Sequence, residues 1–131
     1  MGPPGLGFEH LETALRLDPF SPIRANILGM QGVARFAQGR FRDAVVLLKQ
    51  CIQSRPEMLM AHVFLAAAHG RLGEQAAGRE ALARFKALTP IDVPAFAASF
   101  PDPVARKAVL AGIALAESGN LPDGAVAAEP Q

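Results

Sequence analysis

The chain has 131 residues, half of them hydrophobic and 19% charged, and its 13 Lys+Arg against 12 Asp+Glu leave a net charge of +1. That size and composition suit one packed domain, and the near-neutral charge supplies no electrostatic drive toward nucleic acid or an anionic membrane. A single cysteine, Cys51, excludes an internal disulfide framework and a Cys-rich zinc site, and fits a reducing compartment.

Residues 1–7 are mostly Gly and Pro and lack the basic and apolar regions of a secretory signal, so a disordered start is expected. No apolar run approaches the roughly 20 residues of a membrane span, and the chain reads as cytoplasmic. Residues 8–19 carry Leu11, Leu15 and Leu17 and end at Pro19, the form of the second helix of a hairpin. The first helix of that hairpin is missing. The chain is therefore expected to begin inside a repeat, as the end of a longer protein or a shortened homologue of one.

A first full hairpin follows. A helix is expected over 26–38, Gly39 caps it, a second helix runs over 41–54, and Pro56 stands past its end. The next hairpin has the same plan, with helices over 59–72 and 75–88 around Gly73 and ending before Pro90. Gly39 to Gly73 and Pro56 to Pro90 are both 34 residues. Gly32, Ala44, Ala66 and Gly78 put small side chains where paired helices must approach closely. Leu28, Phe36, Leu48, Leu65, Leu72 and Leu82 fill the space between.

Beyond Pro90 the period stops. Residues 91–100 suggest a short helix. Asp102 and Pro103 then open a longer one, as cap and first residue, with Val104, Ala108, Ala111 and Leu115 as its apolar face and Gly119 as its end. Leu121 and Pro122 close the packed region, and residues 123–131 are expected to be disordered. Phe85 is bulky where the equivalent positions hold Ala14 and Cys51, so Phe96 and Phe100 are expected to pack there.

A 34-residue period with this punctuation resembles the tetratricopeptide repeat, a helix–turn–helix unit. The resemblance implies an all-α, right-handed solenoid of helical hairpins over residues 8–122. It comprises a partial repeat (8–19), two repeats (25–56 and 59–90) and a helical cap (91–122), since a solenoid needs an atypical end unit. More specific strings occur in order: Leu17-Asp18-Pro19-Phe20-Ser21-Pro22, Phe36-Ala37-Gln38-Gly39-Arg40-Phe41, Phe100-Pro101-Asp102-Pro103 and Ser118-Gly119-Asn120-Leu121-Pro122. They resemble the C-terminal tetratricopeptide region of bacterial class III adenylate/guanylate cyclase-like proteins. The catalytic part of such proteins lies upstream of the repeats, and no residue here matches it.

Candidate chemistry is sparse. His62 and His69 could share a helix face, but a zinc site wants further ligands, and no HExxH, phosphate loop or nucleophile elbow exists. Both histidines read as packing residues, and Cys51 as an inert buried thiol. Arg35, Arg40 and Arg42 read as a solvated helix end beside Asp43, and Glu74 and Glu80 as isolated, solvent-facing carboxylates. The expectation is no enzyme: no catalytic residue, cofactor or metal ligand.

The repeat register puts the functional face on the concave side, lined by first helices: Asn26, Gly29, Val33, Phe36 and Ala37, then Met60, Val63, Ala67, Gly70 and Arg71. Relatives that grip a peptide carboxylate line this groove with Lys, Arg and Asn. Here only Asn26 and Arg71 are polar, which favours an apolar groove for a helix or extended segment. Two functions follow. One is a protein-interaction module that takes a peptide, a protein or another domain of the same protein, as the regulatory C-terminal part of a cyclase-like signalling protein. The other is self-association, a homodimer formed through the open N-terminal helix face.

Overall fold

A computed structural model describes residues 23–119 of the chain. Expectations for residues 1–22, including Leu11, Leu15 and Leu17, and for 120–131 lie outside the described residues. Six helices account for most of the rest, and there is no strand among the described residues. They are α1 (Arg24–Ala37), α2 (Phe41–Ser54), α3 (Leu59–Arg71), α4 (Gln75–Leu88), α5 (Val93–Ala98) and α6 (Pro103–Ser118).

The two hairpins repeat each other turn for turn. Gly39 and Gly73 end α1 and α3 at φ 79° and 78°, the left-handed region that glycine enters without a Cβ penalty. The residue after each glycine, Arg40 or Glu74, has φ −91° or −95° with ψ 69° in both cases. Its N–H donates back to Arg35 O or His69 O at 2.8 Å. The second helices close alike too, with Arg55 N–H on Cys51 O and Thr89 N–H on Phe85 O. This is a helical-repeat-like fold with a 34-residue spacing.

Small residues set the helix spacing. A Cβ built on Gly32 would lie 2.7 Å from Leu48 of α2, and one on Gly78 would lie 2.7 Å from Ala116 of α6. The core runs through Leu28, Leu48, Val63, Leu82, Phe85 and Val109. Six phenylalanines link its ends through successive ring contacts, in the order Phe41, Phe36, Phe64, Phe100, Phe96 and Phe85. Phe85 is fully buried and meets Phe96 edge-on at 5.4 Å, as its bulk in a small-residue slot implied.

Asp102 caps α6 as expected, accepting from Val104 N–H at 2.9 Å. Asp92 does the same for α5 through Ala95 N–H at 2.8 Å, which sequence reasoning did not anticipate. The expected face of α6 is corrected. Val104 is 72% exposed and Ala108, Ala111 and Leu115 are only partly covered, whereas Val109, Gly112, Ile113 and Ala116 are buried. Apolar residues surround most of this helix, so periodicity leaves its inward side undecided. Small size decides it: Gly112 and Ala116 allow α6 to lie directly on α3, where a Cβ on Gly70 would fall 2.0 Å from Gly112 O.

Candidate functional site

That close crossing reshapes the expected groove. α3 is buried on all sides, with every residue from Ala61 to Gly70 covered. Ala67 lies against Gly112, and Val63, one turn earlier on the same side, is fully buried. Val63, Ala67 and Gly70 therefore do not line an open surface; α6 occupies the face they were expected to offer. Met60 is half-buried and reaches toward Gly29 near the other end of α3, and Gly29 is itself buried. Asn26 is exposed, its Oδ1 accepting from Arg55 Nη1 at 3.4 Å. The ten expected positions do not form one trough.

What remains open is shorter and more aromatic. A cleft of about 370 Å³ lies between the C-terminal half of α1, the end of α3 and the start of α6. Four expected residues meet there: Val33, Phe36, Ala37 and Arg71. The structure adds Phe41 and Phe64 from neighbouring helices, with Asp102, Val104 and Ala105 forming the α6 wall. Phe36 meets both Phe41 and Phe64 edge-on at 5.3 Å. The Arg71 guanidinium carbon stands 4.9 Å from the Phe41 ring centre, which holds the cation at the mouth over a π face. Phe64 had no signal in the sequence, because an all-round apolar helix does not say which residue meets which neighbour. Phe41, by contrast, directly follows the Gly39 turn and could have been placed at the groove's end.

Arg71 is the cation of the lining, Asp102 is engaged in capping α6, the Gln38 amide oxygen accepts from Arg35, and the remaining walls are apolar. Comparison with known proteins adds no precedent. No protein-family model, curated protein or solved structure matches the chain.

The titratable groups lie elsewhere. Among the described residues no three of His, Cys, Asp and Glu gather as a metal would need, and no helix is long and apolar enough to cross a membrane. Cys51 is fully buried, its thiol donating to Ala25 O at 3.2 Å, with Met58 Sδ at 3.3 Å. Burial pushes that thiol above its usual range, against a smaller opposing pull from Arg55. The reading of Glu74 as an isolated carboxylate is corrected. It holds His69 Nδ1 at 2.8 Å and Arg42 Nη1 at 2.9 Å, and these hydrogen bonds keep its carboxyl below the usual carboxylate range. Arg42 thereby ties the start of α2 to the second turn. Arg40 pairs with Asp43 at 3.5 Å, and Glu80, solvent-facing as expected but not isolated, pairs with Arg84 at 2.8 Å, both at the exposed surface.

Proposed function

We propose that this chain is a non-catalytic protein-interaction module of the tetratricopeptide type, which holds a bulky apolar residue of a peptide or neighbouring domain in the cleft between α1, α3 and α6. The observation that carries the reading is a cleft floored by the buried rings of Phe36, Phe41 and Phe64, with Arg71 as the one cation of its lining. A pocket of this size, lined by aromatics with one oriented donor, takes one or two side chains and fixes the backbone carbonyl or carboxylate beside them. The duplicated turns at Gly39 and Gly73 support the repeat assignment. The similarity to cyclase-like C-terminal regions supports placing the module in cytoplasmic signalling, where such a part regulates rather than reacts.

The test is a peptide-display selection against the purified chain and against Val104→Glu. Val104 sits at the cleft wall and is 72% exposed, so the substitution adds charge there without disturbing the core. Selected peptides should share an aromatic or large aliphatic anchor, bind the parent chain and lose the variant by about tenfold or more. Peptides that bind both equally, or none at all, refute the cleft. Self-association is the second reading. It rests on Leu11, Leu15 and Leu17 of residues 8–19, and is tested by whether Leu11→Glu abolishes any concentration-dependent dimer in sedimentation.

A further inference from the structure

Sulfur gathers where α1, α2 and the start of α3 come together. Cys51 lies on the last turn of α2, Met58 just ahead of α3, and Met60 in its first turn. Cys51 Sγ is 3.3 Å from Met58 Sδ, and both atoms lie before Gly29 of α1. A Cβ built on Gly29 would stand 3.4 Å from Cys51 Sγ, 3.5 Å from Met58 Sδ and 2.9 Å from the Met60 methyl carbon. The Cβ that glycine lacks thus leaves a small space, ringed by a thiol and two thioether side chains. Thioethers stand outside the His, Cys, Asp and Glu groups that hold most metals, yet they are ligands too.

The donor set decides which ion such a space takes. Thiolate and thioether are soft ligands and select copper(I), whereas calcium and magnesium want oxygen. Burial decides the charge. Cys51 is fully buried, and desolvation raises its thiol because a bare thiolate is costly there. A monovalent ion in place of the thiol proton leaves the sulfur–metal pair neutral. A divalent ion would leave a buried positive charge, and Arg55 is close enough to act on Cys51 and to repel it. Entry runs past Met58 and Met60, which are only half-buried and swing on three rotatable bonds each. Bonds of about 2.3 Å, the length of a zinc–sulfur bond, bridge the 3.3 Å gap at a bent angle, with the ion on the Gly29 side.

We propose that Cys51, Met58 and Met60 bind one soft monovalent metal ion of the copper(I) type. On binding, the Cys51 S–H bond breaks, a sulfur–metal bond forms and the proton passes to solvent; no electron is transferred. Met58 and Met60 each contribute a thioether lone pair, and the ion clips the last turn of α2 to the start of α3. The site is separate from the aromatic cleft and independent of the peptide-binding reading.

The experiment titrates the full chain with silver nitrate, a redox-stable probe of this ion class, in chloride-free buffer, and with zinc sulfate in parallel. Calorimetry with histidine as competitor gives the affinity, circular dichroism follows the helices, and 13C spectra of the methionine methyls locate the ion. One silver ion per chain should shift the methyls of Met58 and Met60, leave Met30 unmoved and preserve the helices, while zinc binds far more weakly. Cys51→Ala should abolish this uptake. Met58→Leu should weaken it about tenfold or more, at least the loss that even an outer-shell partner causes. Gly29→Ala, whose new Cβ meets first the flexible end of Met60, should weaken it as well. If Met58→Leu does not fold, the parent's methyl spectra and Gly29→Ala decide the matter. Methyls of Met58 and Met60 that stay unmoved, equal affinity in Met58→Leu, zinc held as tightly as silver, no uptake, or uptake that melts the helices would each overturn the proposal.

Discussion

Replacing Gly70 with alanine should destabilise the protein, although helix propensity alone favours alanine by about 1 kcal/mol. The sign is set by where α6 lies. A Cβ at Gly70 would stand 2.0 Å from Gly112 O and 2.8 Å from Ala116 N, and both are backbone atoms that cannot swing aside. The two helices would have to part by well over an ångström. That would loosen contacts along Ala67, Gly112 and Ala116, all of them buried. Overpacking of this kind costs about 3 kcal/mol at the upper end of the usual range. The net loss is then about 2 kcal/mol, or roughly 10 °C in Tm for a domain near this size. Urea and thermal unfolding followed by circular dichroism measure it. Gly73→Ala is the control, because open space surrounds Gly73 and only its φ of +78° is at stake, a cost of about 1 kcal/mol. Gly70→Ala that is as stable as the parent, or more stable, would refute the described crossing of α3 and α6.

Val63→Glu should unfold the chain, since it places a charge at a fully buried position, with a loss of about 3 kcal/mol or more by denaturant titration. Val104→Glu should stay within about 0.5 kcal/mol of the parent in the same assay. The folded-state pKa of Glu74 is held down by His69 and Arg42, so its contribution to stability is present above the ordinary glutamate range and fades as pH falls through the lowered value. Unfolding midpoints measured between neutral pH and about pH 3 should therefore fall less steeply for Glu74→Gln than for the parent. Cys51 should resist alkylation by iodoacetamide in the native protein and react readily once denaturant is added, because its thiol is buried and its pKa raised. Fast alkylation under native conditions would contradict the packing of α2 on α1.

Much of the helical plan was legible because turns are local. Gly39 and Gly73 announce themselves by residue type and spacing, and α2 and α4 begin and end where the glycines and prolines said they would. The Phe85 and Phe96 contact was readable from one misfit of size. The groove was harder, because a guest-binding face depends on which helix covers which. α3 carries apolar side chains on every side, and α6 nearly so, and such patterns do not tell a covered face from an open one. Only the small size of Gly70, Gly112 and Ala116 hinted that these two helices meet, and small residues occur at many other positions. Glu74 was misread for a related reason. Its partner Arg42 lies in the preceding hairpin, and no local pattern links carboxylate and cation across that distance.

The seat of α6 across α3 also gives the molecule a direction. A repeat array lengthens by stacking each new hairpin on the exposed flank of the previous one. Downstream of α4 that flank is already taken by α5 and α6. Hairpins grafted after Ser118 would have to evict a helix seated backbone-to-backbone. An engineer wishing to lengthen this scaffold downstream would have to remove α6 first.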